Sequence, residues 1–97
     1  MNLLPEELAK EIPRLRSQQK CGEDALAHVR LVASWMKWSW FVSEYEPKLR
    51  VCFGLVINFD RHLDYFSLDK LEDYQSRRGL RIERDPEFKP RPLRDCG

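Results

Sequence analysis

Two histidines, three cysteines and three tryptophans are the residues of this 97-residue chain best suited to chemistry, and their spacing decides what each can do. His28 and His62, with Cys21, Cys52 and Cys96, show none of the Cys-x-x-Cys or His-x-x-x-His spacings that bring metal ligands together. No metal and no cofactor is therefore expected. Neither Ser39 nor Ser43 sits in a Gly-x-Ser-x-Gly nucleophile elbow. Glu44 and Glu46 share a strand face beside Tyr45, a pairing that solvated surface carboxylates explain. Gly22, Gly54, Gly79 and Gly97 are isolated, so no glycine-rich phosphate cradle exists. The expectation is a protein without catalysis. An enzyme with an unfamiliar site near His28 or His62 is the third alternative.

The aromatic and arginine residues point to binding. Trp35, Met36, Trp38 and Trp40 crowd six positions. A small sheet with a helix on one face leaves the other face open, and tryptophans placed there anchor protein interfaces. Arg81, Arg84 and Arg91 of the C-terminal stretch would frame such an anchor. The competing reading is that all three tryptophans fill the core. A second functional alternative is a nucleic-acid-binding accessory protein that uses the C-terminal arginines. Sheet aromatics beside basic segments do stack on single strands, although the RNP motifs of RNA-recognition domains are missing.

The elements that would position these residues follow from periodicity. Leu4, Leu8, Ile12 and Leu15 recur at helical spacing, with Glu6 and Glu7 in the first turn and Pro13 as a break or kink. Residues 16–25 are polar and read as a loop. A strand is expected over 26–33, with Ala27, Val29, Leu31 and Ala33 facing the core, then a turn over 34–37. Strands follow over 38–45 and 49–59. In the second, Val51, Phe53, Leu55, Ile57 and Phe59 alternate with Cys52, Gly54, Val56 and Asn58, and Gly54 marks a bulge or close packing of a Trp ring. A short strand over 62–66 leads to Ser67, an N-cap for a helix over 68–76 that Gly79 stops. Three prolines between 81 and 97 predict an extended segment tacked down by Ile82, Phe88 and Leu93. The fold class is α+β: a small antiparallel meander of three to five strands, an N-terminal helix, a second helix and an extended Pro-rich C-terminal segment, all one domain over 1–97.

Composition bounds the partners. Hydrophobic content of 42% and aromatic content of 11% fit a folded domain with one modest core. Seventeen basic and sixteen acidic residues give a net charge of +1, too little to steer the chain toward DNA or an anionic membrane. Residues 77–97 are locally basic, with seven cations against four anions. The longest apolar run, Leu55-Val56-Ile57, is too short for a bilayer, and Met1 to Glu7 lacks the features of a signal peptide, so the expected location is cytoplasmic. An odd cysteine count predicts free thiols, Cys52 in the core and Cys96 exposed. Exposed meander edges invite self-pairing, so a homodimer is a further expectation.

Several stretches together resemble a known family. These are Leu3-Leu4-Pro5, Gly22 to Val29, Trp38-Ser39-Trp40, Glu44-Tyr45-Glu46-Pro47, Phe53 to Val56, Asp64 to Leu68, Gly79 to Asp85, and Phe88 to Leu93. In order and spacing they resemble an uncharacterised bacterial family of small stand-alone proteins, classed as a domain of unknown function and common on plasmids, phages and integrative elements. The chain departs from that pattern around Ser34 to Lys37 and at Asn58 to Arg61. The resemblance carries over no catalytic residue. It implies the setting of a mobile genetic element, where a small protein-binding accessory factor would act by contact, for example as a counter-defence, anti-CRISPR-like inhibitor.

Overall fold

The computed structural model describes residues 4, 6–15, 19–33, 38–78 and 81–96. Most of the order is antiparallel sheet. Strands β2 (Val29–Ala33), β3 (Trp38–Glu46), β4 (Val51–Ile57), β5 (Arg61–Ser67) and β6 (Ile82–Arg84) form one sheet in the order β5-β4-β3-β2-β6. Two further short strands, β1 (Leu26–Ala27) and β7 (Arg91–Pro92), pair with each other in a second sheet. The helices are α1 (Glu6–Ala9) and α2 (Leu68–Arg78), with 3-10 turns at Gln19–Asp24 and Leu93–Asp95.

Strand periodicity explains the large sheet. Val29, Leu31 and Ala33 are buried on one face of β2 and pair with Val42, Trp40 and Trp38. On that face the sheet meets α2 through Leu68 and Leu71, and meets the α1 segment through Leu4, Leu8 and Ile12. The opposite face carries Phe41 and Leu55, with Ile57 and Leu63 beside them, and is covered by Ala25, Ala27, Phe88, Leu93 and Cys96. The sheet is thus the middle of three layers. β3 pays attention to both, and its residues from Ser39 to Tyr45 are buried without a break.

The differences from the sequence expectations are local and physical. The helix expected over 4–15 is a single turn. After Ala9 the chain turns through bonds from Glu11 N–H to Leu8 O and from Ile12 N–H to Ala9 O, ahead of Pro13. Pro13 cannot donate, but its carbonyl accepts from Tyr45 N–H at 2.9 Å and continues the edge of β3. The loop expected over 16–25 contains a 3-10 turn. The strand expected over 26–33 splits at His28, so β1 leaves the large sheet and covers its second face. Instead of one extended run, residues 82–95 form β6, β7 and a 3-10 turn. Cys96 is buried beneath that turn, not exposed, and its thiol faces Pro92 O at 3.5 Å.

Gly54 marks a bulge. The register of β3 against β4 shifts between Val42 and Glu44, leaving Ser43 as the extra residue. A Cβ on Gly54 would sit 1.7 Å from the Phe41 carbonyl oxygen, so it is main chain, not an indole ring, that demands glycine here. β5 is an edge strand. Leu68 N–H reaches inward to Arg50 O, so by alternation the N–H groups of Leu63, Tyr65 and Ser67 point away from β4. Asp64 Oδ1 accepts from Tyr65 N–H at 2.8 Å and caps the middle of that edge.

Candidate functional site

An apolar hollow lies between α2 and the sheet. Ser67 caps α2, its Oγ accepting from Lys70 N–H at 3.3 Å. From there the helix crosses the sheet until Gln75 Nε2 donates to Ile82 O on β6. On the face it crosses, β4 offers only Cys52, Gly54 and Val56, so the surface is shallow between the β3 tryptophans and the helix. The result is a groove of about 430 Å³, running from Asn58 at the β4–β5 hairpin to Ser67 at the start of α2. Trp38, Trp40, Phe66 and Tyr74 supply its aromatic walls.

The rings are stacked in sequence. Trp40 and Trp38 meet edge to face at 6.3 Å between centroids, and Trp38 meets Phe59 the same way at 5.7 Å. Phe59 stands on the hairpin turn and is 92% exposed. Its position is set by Asn58, whose side-chain oxygen accepts from Phe59 N–H at 2.7 Å and from Asp60 N–H at 3.4 Å. Lys70 is the one charged residue on the groove wall, and no carboxylate of the described residues pairs with it.

Of the residues expected to bind a partner, Trp38 and Trp40 come together here, with Trp40 only 8% exposed and Trp38 half-buried. Trp35 lies outside the described residues. Arg81 precedes Ile82, which pairs with Ala33, which in turn pairs with Trp38, so Arg81 belongs to the same end of the sheet. Arg84 pairs with Leu31 farther along β6, and Arg91 is on β7 in the second sheet. The five described residues do not form one surface. Phe59, Lys70 and Tyr74 were missed. Lys70 and Tyr74 are four apart on α2 and so share a side, a signal that sequence does carry. Phe59 gave no such signal, because strand alternation assigned it to the opposite face and only the turn redirects it.

A second, polar hollow of about 410 Å³ sits behind the β3–β4 turn, lined by Glu6, Tyr45, Arg50 and Glu72 among others. Arg50 adopts a left-handed backbone, φ 54°, that non-glycine residues rarely hold. Its guanidinium forks onto Glu72 through two 2.8 Å bonds and reaches Asp69 at 2.6 Å. The bond to Glu72 leads the interactions that raise the Arg50 pKa, and burial pushes the Tyr45 phenol up beside it. With its charge answered by two carboxylates, Arg50 pins α2 to the turn.

Cys52, His62 and His28 stand in three separate settings. Burial pushes the Cys52 thiol up to about 12, so it stays protonated and inert at neutral pH. His62, on the exposed edge strand, has its Nδ1 2.7 Å from the Asp60 carboxylate in the turn before it. His28 is half-buried, its pKa lowered chiefly by burial, and lines a hollow of about 170 Å³ with Arg84 and Asp85. No cluster of three His, Cys, Asp or Glu suited to a metal occurs among the described residues. No helix among them is long and apolar enough to cross a membrane.

A family model described as "Protein of unknown function (DUF2958)" matches residues 3–93. The chain belongs to the DUF2958 family. No curated protein and no solved structure matches it. The DUF2958 match takes in every strand and both helices, so the groove between α2 and the sheet falls wholly within the family segment.

Proposed function

We propose that this DUF2958 protein is a non-catalytic binding module whose aromatic groove accepts an apolar side chain of a partner protein, with a partner carboxylate on Lys70. The observation that carries the reading is the nearly fully exposed Phe59 ring at the groove mouth, continuous with Trp38 and Trp40. Exposed aromatic surface of this kind is a common anchor of protein interfaces. Lys70, which no carboxylate among the described residues pairs with, offers a cation to a partner carboxylate. The resemblance set out above supports the setting of a bacterial mobile element, where such a module acts as an accessory factor or counter-defence inhibitor.

Nucleic acid is the weaker reading, because three of the six arginines between residues 77 and 97 are held in ion pairs and the whole chain carries a net charge of only +1. Arg81 pairs with Glu83, Arg77 with Asp73 and Arg94 with Asp24. A phosphate backbone would have to compete with those carboxylates for half of the stretch's arginines.

The test is capture of a partner from host lysate by the wild-type protein and by Phe59→Ala and Lys70→Glu, with and without nuclease. Both substituted residues are exposed, so folding should be retained. A partner that survives nuclease and is bound about tenfold or more weakly by each variant is expected. Unchanged binding by both variants removes the groove from the interface. Recovery abolished by nuclease transfers the function to nucleic acid.

A further inference from the structure

The other side of the sheet carries a differently built cleft. Arg30 on β2 stands over the Phe41 ring, 5.7 Å from its centroid. Phe41 meets Phe88 at 5.8 Å, and Arg91 on β7 stands over Phe88 at 5.0 Å. Two guanidinium groups therefore flank an aromatic pair, and with Asp85 they line a hollow of about 240 Å³. The two sheets place them: β1–β7 pairing brings Arg91 opposite Ala27, while β2–β3 pairing sets Arg30 opposite Phe41.

The donors in this cleft outnumber the acceptors. A guanidinium presents five N–H groups and accepts none. Arg30 donates to Asp85 Oδ2 at 3.2 Å and to Ser39 Oγ at 3.5 Å, the limit of a hydrogen bond, and its Nε is buried with no partner. Asp85 is already committed, its other oxygen accepting from Glu87 N–H at 3.0 Å. Arg91 is exposed, and its contact is with the Phe88 ring rather than with a carboxylate. Counting Arg30, Arg91 and Asp85, the lining carries a net charge of +1. The ring beneath each guanidinium limits the directions it can turn, which orients the forks before any ligand arrives.

We propose that the Arg30–Arg91 cleft binds an oxyanion of phosphate or carboxylate chemistry, with the Arg91 fork as principal ligand and the exposed edge of Arg30 as the second. This is independent of the aromatic groove, which lies on the opposite face of the sheet. The ligand satisfies donors that the protein leaves open, and bidentate contact to a planar or tetrahedral oxyanion is what a guanidinium fork does best.

Inorganic phosphate and acetate are the probes, each titrated at constant ionic strength against chloride and followed by amide chemical shifts. Saturable shifts at Asp85, Phe88 and Arg91 are expected with at least one of the two, and the one that saturates names the chemistry. Arg91→Gln should weaken that binding about tenfold or more, as loss of a charged hydrogen-bond pair implies. Arg94→Gln, whose partner Asp24 lies outside the cleft, should leave it unchanged. Arg30→Gln repeats the test from the other side, and the exposed Arg91 keeps it decisive if that variant fails to fold. Shifts that stay linear with both anions, or that Arg91→Gln does not alter, overturn the proposal.

Discussion

At Gly54 the side chain is absent because a carbonyl occupies its place. The β3 bulge brings Phe41 O to within 1.7 Å of where a Cβ would stand, and the carbonyl carbon to 2.9 Å. Main chain cannot swing aside as a flexible side chain does. Gly54→Ala must either flatten the bulge or part β3 from β4, the pair at the centre of the sheet. A loss of about 3 kcal/mol or more is expected by analogy with severe overpacking, read as a lower denaturation midpoint. Wild-type stability in the alanine variant would show that the bulge can relax. The glycine was visible in sequence as an interruption of an alternating strand. Its reason was not, since the obstructing atom lies on another strand, thirteen residues away.

The β3–β4 turn is where one element holds another. Arg50 O accepts from Leu68 N–H at 2.9 Å, and the Arg50 side chain clasps Asp69 and Glu72 of α2. Backbone and side chain here make opposite demands: φ 54° favours glycine, the fork requires arginine. Comparison of Arg50→Ala with Arg50→Gly separates the two. Both lose the ion pairs, but only alanine keeps a Cβ in the left-handed region. Arg50→Gly should therefore be the more stable by about 1 kcal/mol in chemical denaturation. Equal stabilities would mean that the turn readjusts its backbone once the fork is gone. Nothing in the spacing of Arg50 announced this role. By contrast, β4 and α2 were legible, because alternation from Val51 to Ile57 and the Ser67 cap are local signals. α1 is shorter than its spacing predicts because Leu8 reaches the core from the single turn while Ile12 reaches it from the bend that follows Ala9.

Across the whole molecule, one sheet joins two apolar clusters. Leu71 belongs to the α2 side and Leu93 to the β1–β7 side, and each is almost wholly buried. Because β3 and β4 contribute to both clusters, damage on one face should unfold the other. Leu71→Ala and Leu93→Ala are each expected to cost about 2–5 kcal/mol while leaving a single transition, the same by circular dichroism and by tryptophan fluorescence. Two separated transitions in either variant would show that the faces are independent. The candidate groove belongs to this scale as well. Trp38 and Trp40 stood out in sequence, but the direction α2 takes across the sheet depends on Gln75 meeting Ile82, which no local pattern encodes. The burial of Cys96 escaped for the same reason, since it rests on residues 25–27 pairing with the stretch near 92.

That pairing also sets an order of events during synthesis. The strands from β2 to β5 are synthesised before Phe88, Leu93 and Cys96, the residues that close over Phe41, Leu55, Ile57 and Leu63. Until Phe88, Leu93 and Cys96 are in place, the sheet presents an uncovered greasy face, the state in which incomplete chains stick to one another or recruit chaperones. A released chain cut short after residue 87 keeps β2 to β6 but lacks Phe88, Leu93 and Cys96, and is therefore expected to aggregate where the longer chain does not.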